Sequence, residues 1–207
     1  MIIPKIIHQL WVGPDKRPFR WMNSWKVKHP KWKYMLWDNQ AIEGFKFKNQ
    51  KHINYYLKNK IWHGIADVAR YEILNKFGGV WQGADSECLL PLDELFINSK
   101  YDAYCFYENE KLAPGLVAPL LACTPDNEFA KSLIQGLFEK DEVGIPWKTT
   151  GNLYMKEMIE KMNYPRLKIF PSYYFVPIYQ GKRYEGKEKI YAEHHFGTTY
   201  KCYKKGR

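Results

Sequence analysis

The sequence lacks the features that mark membrane-spanning, secreted and repeat proteins. No stretch approaches the roughly 20 consecutive apolar residues that a membrane-spanning helix needs. The N-terminus has no apolar core of a signal peptide. The chain also contains no internal repeat and no low-complexity linker. These absences predict a cytoplasmic protein with neither a signal peptide nor a transmembrane segment.

Cysteine is scarce, and its spacing excludes the common metal and redox motifs. The four residues are Cys88, Cys105, Cys123 and Cys202. None of them forms a Cys-x-x-Cys pair. A chain of 207 residues can bury a core without support from disulfides or metals. We therefore expect reduced, structural thiols in one domain that spans residues 1–207.

Positive charge and aromatic side chains are present in excess. The formal net charge is +10, and aromatic residues make up 17% of the chain. A basic protein attracts anionic partners, which include nucleotide diphosphates, nucleic acid and acidic membranes. The lysine clusters are short and do not resemble a nucleic-acid-binding arm, so a solvated basic surface explains most of them. The aromatic excess suits stacking on sugars and bases, but a core built from large side chains is the commoner cause.

The hydrophobic pattern predicts an α/β fold with a mostly parallel sheet. Apolar, β-rich runs predict strands at Ile2–Val12, Lys33–Trp37 and Val80–Leu90. Helical spacing predicts helices between them at Phe19–His29 and Asn54–Phe77. This alternation of strands and helices is typical of a parallel sheet. The remaining predictions are strands at Tyr101–Tyr107 and Leu116–Cys123, helices at Asn127–Glu139 and Asn152–Met162, and extended segments at Lys168–Ile178 and Ile190–Phe196.

Acidic residues come at the end of the apolar stretch of the third predicted strand, and an α/β sheet binds its ligands at the carboxyl ends of its strands. Period-two alternation places Gly83, Asp85 and Glu87 on one face of that strand. A carboxylate there can hold Mg²⁺ or Mn²⁺, and the cation can neutralise a leaving diphosphate. On this segment alone, a solvated carboxylate or a helix cap is the commoner explanation.

A second pair of charged residues lies on the helix that precedes this strand. Asp67 and Arg70 are three residues apart and share a helical face. They can form a surface ion pair. They can also point into the same pocket, with Arg70 binding phosphate or sugar oxygens and Asp67 binding sugar hydroxyls.

These residues carry a resemblance to a known family. Ala66–Leu74 is followed by Gly78-Gly79-Val80-Trp81 and then by Asp85. This order resembles that of the DXD-containing sugar transferases, which include family 32 glycosyltransferases, capsule-type transferases and the glucosylating domains of large clostridial toxins. Their pattern is Ser-Asp-x-x-Arg-Tyr-x-x-Leu, then Gly-Gly-x-Tyr, then Asp-x-Asp. Further similar segments are Ile3–Gly13, Thr150-Gly151 and His194–Tyr200.

The resemblance implies a GT-A fold, which is a nucleotide-diphospho-sugar transferase domain with a Rossmann-like, mostly parallel sheet and flanking helices. It implies a glycosyltransferase that needs a divalent cation, Mn²⁺ or Mg²⁺. The enzyme would move a sugar from a nucleotide-sugar donor to a glycan or protein-linked acceptor, with retention of configuration at the anomeric carbon. The resemblance favours a UDP-sugar over a GDP-sugar as the donor. Catalysis would rest on electrostatic stabilisation of the departing diphosphate. The resemblance places the enzyme in the synthesis of polysaccharides or of glycoprotein glycans. Nucleic acid is not an expected partner.

The resemblance also assigns residues to roles. Catalysis falls to Arg70 and Asp85, and metal binding to Asp85 and His194, with His195 as the alternative to His194. A structural histidine is the competing explanation for His194. Donor binding falls to Gln9, Leu10, Trp11, Asp67, Arg70, Gly83, Ala84, Asp85 and Tyr200.

Two positions depart from the family pattern. Tyr200 stands where the family has a closing Trp, and Gly83 stands where it has the first Asp of Asp-x-Asp. Water can replace the missing carboxylate, the motif can shift to Asp85-Ser86-Glu87, the carboxylate can have been replaced by engineering, or activity can be lost. The rival hypotheses are thus a binding-only relative and a basic nucleic-acid-binding module. The second lacks a basic–aromatic motif, and its acidic strand end would repel phosphate.

Overall fold

A seven-stranded sheet lies at the centre of the protein, in a computed structural model that describes residues 2–98, 100–140 and 143–206. The strands are β1 (Ile6–Leu10), β2 (Lys33–Trp37), β3 (Gly79–Trp81), β4 (Ser86–Cys88), β5 (Ala103–Asn109), β6 (Ala113–Val117), β7 (Ala122–Cys123), β8 (Leu167–Phe170), β9 (Ile178–Tyr179), β10 (Lys182–Arg183) and β11 (Ala192–His194). The helices are α1 (Phe19–Lys28), α2 (Asn39–Gly44), α3 (Gln50–Lys58), α4 (Trp62–Phe77), α5 (Glu128–Glu139), α6 (Pro146–Thr149) and α7 (Asn152–Met162). Two 3₁₀ turns are formed by Ser172–Tyr174 and Tyr203–Gly206.

The central sheet has the strand order β2-β1-β3-β7-β5-β6, and β8 also pairs with β5. Strand β1 runs parallel to β2 and β3, and β5 runs parallel to β8. Strand β7 is antiparallel to both β3 and β5, and β6 is antiparallel to β5. Five strands therefore point one way, with only β6 and β7 opposed, which confirms the predicted α/β fold with a mostly parallel sheet. Two antiparallel ribbons, β4–β11 and β9–β10, lie outside it.

Both faces of the sheet are covered by buried apolar side chains. Helix α4 supplies Ile65, Val68 and Ile73 to one core cluster, which also includes side chains of α5 and α7. The opposite face buries Ile7 and Trp25 in a second, aromatic-rich cluster. Each fully buried aliphatic side chain contributes about 1.5–3 kcal/mol. Much of the aromatic excess is thereby explained by the core.

The predicted helix at Asn54–Phe77 is two helices, α3 and α4. The chain turns between them at Lys60, whose φ of 56° lies in the left-handed region. The side chain of Asn59 donates to the Tyr55 carbonyl, which ends α3. The apolar spacing continues across this break, so periodicity alone could not show it. Neither α6 nor α2 is among the predicted helices, although the Asp38 side chain that caps the N-terminus of α2 is a recognisable helix start.

Three predicted extended segments are also interrupted. Val80–Leu90 was expected as one strand, but β3 ends at Trp81 and β4 pairs with β11 instead of continuing the main sheet. The alternation argument for Gly83, Asp85 and Glu87 is therefore wrong. Leu116–Cys123 is likewise divided into β6 and β7, with Pro119 between them, because proline cannot donate to a strand ladder. In Lys168–Ile178, strand β8 gives way to the 3₁₀ turn that begins at Ser172.

The four cysteines are free thiols, in agreement with the sequence prediction. Among the residues that the structure describes, no helix is long and apolar enough to cross a membrane. The cytoplasmic location stays a prediction.

Candidate active site

Charged side chains from four parts of the fold meet beyond the carboxyl ends of β3 and β5. Each influences the protonation of at least one other member of the group. The group consists of Asp67 and Arg70 from α4, Asp85 from the turn after β3, Glu108 from the end of β5, and His194 from β11. An open α/β sheet binds ligands at this edge.

Asp85 and His194 form the most sharply defined pair in the group. His194 Nε2 lies 3.2 Å from Asp85 Oδ1, and the Gly197 backbone N–H donates to Asp85 Oδ2 at 2.8 Å. Burial acts to raise the pKa of Asp85, but His194 and the Gly197 amide outweigh it and lower the pKa to about 2. Burial acts to lower the pKa of His194, but Asp85 and Glu108 hold it above its usual value. Asp85 therefore presents a charged carboxylate to the site.

The side chain that reaches the Asp85 carboxylate is His194, whereas His195 contacts Asp85 through its backbone N–H, which donates to the Asp85 carbonyl at 2.8 Å. The His195 ring stacks on Trp21 at 4.2 Å and lies 3.5 Å from the Glu87 carboxylate. Glu87 lies 3.8 Å from Arg20 on the same side. These contacts give no support to a motif shifted to Asp85-Ser86-Glu87.

Gly83 lies directly beside the Asp85–His194 pair. A Cβ atom built on Gly83 would lie 2.9 Å from Asp85 Oδ1 and 3.5 Å from His194 Nε2. The Gly83 carbonyl accepts from the Ser86 hydroxyl at 2.7 Å and from the Gln9 amide at 3.1 Å. A side chain at position 83 would therefore point at the pair.

Gln9 holds the Gly83 turn in place. Its side chain is buried, with Nε2 on the Gly83 carbonyl and Oε1 accepting from the Tyr34 hydroxyl at 2.8 Å. Because both ends of the amide are engaged, this geometry supports a positioning role for Gln9. The predicted donor contact by Gln9 remains a prediction.

Asp67 and Arg70 point into the site rather than forming a surface ion pair. Arg70 Nη1 donates to the Pro119 carbonyl at 3.1 Å, and the guanidinium lies 5.5 Å from the centre of the Trp81 ring. Its buried Nε has no hydrogen-bond partner among the described residues. Burial raises the pKa of Asp67 to about 6, although the Arg70 charge opposes this rise. The pair thus offers one cation and one acidic oxygen acceptor to a ligand.

Thr150-Gly151 forms a close wall beside Asp67. The Tyr71 hydroxyl donates to the Thr150 carbonyl at 2.8 Å and fixes this segment to α4. A Cβ atom at Gly151 would lie 2.9 Å from both Asp67 Oδ2 and the Trp147 Cα. Only glycine permits this approach, which accounts for the Thr150-Gly151 pair.

Replacing Gly151 with alanine is expected to lower stability and displace Asp67. The added methyl group meets the backbone of α6, which cannot move as a side-chain tip can, and such overpacking costs about 1–3 kcal/mol. Urea unfolding measures the loss. Gly44→Ala is the matched control, since a Cβ at Gly44 meets nothing within 4 Å. Equal stability of Gly151→Ala and the wild type would contradict the close approach.

Sequence reasoning missed Glu108. Its carboxylate accepts from the Asn152 amide at 2.6 Å and interacts with the Tyr179 hydroxyl. Burial raises its pKa, against the charge of His194. The predicted strand Tyr101–Tyr107 ended one residue before Glu108, so the rule that ligands bind beyond strand ends would have found it.

The other predicted donor-binding residues lie around this group. Trp11 is partly exposed, donates from its indole to the Asp15 carbonyl at 2.7 Å, and meets the Tyr203 ring edge-on at 5.0 Å. The Leu10 side chain is buried in the core, and its backbone pairs with Trp37 of β2. Ala84 lies in the turn between Gly83 and Asp85. Tyr200 is 55% exposed and packs against Phe196.

Asp85 and His194 fit a divalent cation as a pair of ligands. They offer a carboxylate oxygen and an imidazole nitrogen 3.2 Å apart. Adjacent ligands of an octahedral ion with bonds of 2.0–2.1 Å are about 3 Å apart. Among the described residues, no set of three or more His, Cys, Asp or Glu side chains could hold a metal ion. The remaining ligands would therefore come from a bound diphosphate and water.

Comparisons with known proteins confirm the family resemblance. Residues 16–102 match the family described as "Glycosyltransferase sugar-binding region containing DXD motif". Inositol phosphoceramide mannosyltransferase 1 of Schizosaccharomyces pombe is 33% identical over 111 residues, which are 48% of this chain and 33% of that protein. Mannosyl phosphorylinositol ceramide synthase SUR1 of Saccharomyces cerevisiae is 29% identical over 163 residues, or 74% of this chain and 41% of that protein. The chain thus spans about a third to two fifths of these relatives.

The fold is also found in a solved glycosyltransferase. The PaToxG glycosyltransferase superposes with a TM-score of 0.61 at 14% identity, covering 78% of this chain and 71% of that one. The predicted GT-A glycosyltransferase fold is confirmed.

Proposed function

We propose that this chain is a metal-dependent glycosyltransferase, because residues 16–102 match the DXD-type sugar-binding region of glycosyltransferases. It transfers a sugar from a nucleotide-sugar donor to a hydroxyl acceptor, and residues 1–207 form one catalytic domain. The observation that carries the proposal is the meeting of Asp67 and Arg70 with the Asp85–His194 pair at the ligand-binding edge of the sheet.

The proposed roles follow from the geometry. Asp85 and His194 hold the cation, which when bound offsets the negative charge of the leaving diphosphate. Arg70 binds donor oxygens through the N–H groups that Pro119 leaves free, and Asp67 accepts from sugar hydroxyls. The nucleobase lies at Trp11. Retention rests on the family resemblance alone.

The relatives suggest which substrates to test first. Both are named for mannosyl transfer, and both names contain an inositol phosphate ceramide. We therefore include a mannosyl donor and an acceptor with a phosphorylated inositol among the substrates to test, together with the UDP-sugars that the resemblance favours.

The deciding experiment incubates the protein with a panel of UDP- and GDP-sugars in the presence of Mn²⁺, Mg²⁺ or EDTA and measures the release of nucleoside diphosphate. Cation-dependent release supports the enzyme, and nuclear magnetic resonance of the product's anomeric centre tests retention. Donor binding without turnover supports the impaired relative. If the protein neither binds nor turns over any donor of the panel, the proposal is overturned.

Gly83→Asp is expected to lower turnover while making stability more dependent on Mn²⁺. The new carboxylate lies against Asp85, so the two negative charges repel each other without a cation and share it when it binds. The side chain also fills space that the wild type leaves for its donor. Thermal unfolding with and without Mn²⁺, together with turnover on the donor panel, measures both effects.

Gly44→Asp is the control for Gly83→Asp, because it adds the same charge where nothing lies within 4 Å of a Cβ. An identical Mn²⁺ response in the two variants would contradict the placement of Gly83. Turnover gained by Gly83→Asp, with none by the wild type, would favour the inert relative.

A further inference from the structure

A basic, aromatic cavity of about 400 Å³ is lined by Trp21 and by residues that follow His194 in the chain. Its lining includes the ammonium-bearing side chains of Lys201, Lys204 and Lys205, together with Trp21, His195 and Tyr200. His194 and His195 are consecutive, and their rings go to different places, His194 to Asp85 and His195 to Trp21. The cavity is therefore next to the proposed metal site but separate from it.

The lysines of this cavity keep their charge available. In the part of the chain that the structure describes, no carboxylate forms an ion pair with Lys201, Lys204 or Lys205. Lys201 is held in the left-handed backbone region with a φ of 49°, so the tail turns sharply there. The three like charges lie within the five residues from Lys201 to Lys205 and repel one another unless an anion lies between them.

Trp21, one of the residues that line the cavity, adds a second polar feature. Trp21 is 1% exposed, and its indole N–H has no hydrogen-bond partner among the described residues. His195 stacks on it, and its imidazole lies between the Glu87 and Glu193 carboxylates at 3.5 and 3.4 Å. A buried donor without a partner costs about 1–3 kcal/mol, which a ligand oxygen would recover.

We propose that this cavity binds a phosphate ester, with the three lysines neutralising its charge and the Trp21 N–H donating to one of its oxygens. Tyr200, which the family resemblance assigns to donor binding, also borders this cavity and offers it an aromatic surface, so the cavity adjoins the proposed donor site. The phosphate belongs either to a soluble ester or to a phospholipid headgroup. The site is additional to the donor site of the proposed function, and its occupancy requires no turnover.

The test measures binding of glycerol 1-phosphate by calorimetry at low salt. Replacing Lys201, Lys204 and Lys205 together with alanine is expected to raise the Kd at least tenfold. The control replaces three exposed lysines elsewhere, Lys31, Lys58 and Lys187, with alanine, and it should change the Kd less than twofold. The control removes the same net charge. If both variants lose affinity for glycerol 1-phosphate equally, the net charge of the protein explains the binding and the proposed site is overturned.

Two further arms complete the experiment. Trp21→Phe keeps a ring but removes the unpartnered N–H, so weaker phosphate binding by the folded variant supports the site, and unchanged binding overturns the contact with Trp21. Flotation with phosphatidylinositol vesicles, against phosphatidylcholine vesicles, identifies a lipid headgroup as the source when soluble ester does not bind. If the protein binds neither glycerol 1-phosphate nor the vesicles, the proposal is overturned. Simple competition between glycerol 1-phosphate and a nucleoside diphosphate also overturns it, because the cavity would then be part of the donor site. If the wild type binds the phosphate ester but turns over no nucleotide-sugar donor, the result counts against the proposed function alone.

Discussion

Asp85→Asn is expected to weaken cation-dependent donor binding at least a hundredfold and to leave the fold intact. The substitution keeps the shape of the side chain but removes the charge that Asp85 offers at 3.2 Å from His194 Nε2. Removing one well-placed group that stabilises charge commonly costs 10²–10³ in rate, or about 2.7–4 kcal/mol. Calorimetry with donor and Mn²⁺ measures the affinity, and diphosphate release measures the rate.

The same variant has an expected effect on stability that depends on pH. The folded-state pKa of Asp85 is lowered to about 2 from 3.8, so its stabilisation is present above pH 3.8 and is lost as the pH falls through 2. Asp85→Asn should therefore unfold at a lower temperature than the wild type at neutral pH, and the difference should shrink in acid.

Glu87→Gln is the matched control for Asp85→Asn. It removes a carboxylate two residues away whose contacts are His195 and Arg20 rather than His194. Donor affinity should be unchanged. If Asp85→Asn binds donor in Mn²⁺ as tightly as Glu87→Gln does, Asp85 does not hold the cation.

The sequence predicted the fold well wherever local pattern decides the structure. Strand β2 and helix α7 begin and end at the predicted residues, because their limits depend on nearby turns and apolar spacing. The family-like strings also named Asp67, Arg70, Asp85 and His194, which the structure brings together. In these segments, local preference and tertiary packing agree.

The prediction failed where distant contacts decide the backbone. The turn at Gly83 replaces a continuous strand because Gln9, 74 residues earlier, binds its carbonyl. Strand β4 likewise finds its partner in β11, about a hundred residues later. Glu108 joins the site through the register of β5 in the sheet. No periodicity within a short window carries this information.

Arg70→Lys is expected to lower kcat/KM about 10²–10³-fold, the loss that follows the removal of one well-placed donor to developing charge. The guanidinium binds the Pro119 carbonyl through Nη1 while it lies against Trp81, and its remaining N–H groups stay available for a donor. A lysine keeps the charge but has a single ammonium, which cannot bind Pro119 and a donor oxygen in the same fork geometry.

Arg166→Lys is the control for Arg70→Lys, because Arg166 forms a bond of 2.7 Å to the buried Asp102, which is not a member of the site group. That variant should lose stability and keep its turnover per folded molecule. Arg70→Lys should show the reverse pattern, with a small change in melting temperature and a large loss of turnover. If the two variants lose turnover equally, Arg70 acts through the stability of the fold. A selective loss at Arg70 supports its assignment to the donor, because it is a loss of transition-state stabilisation that a change in unfolding does not explain.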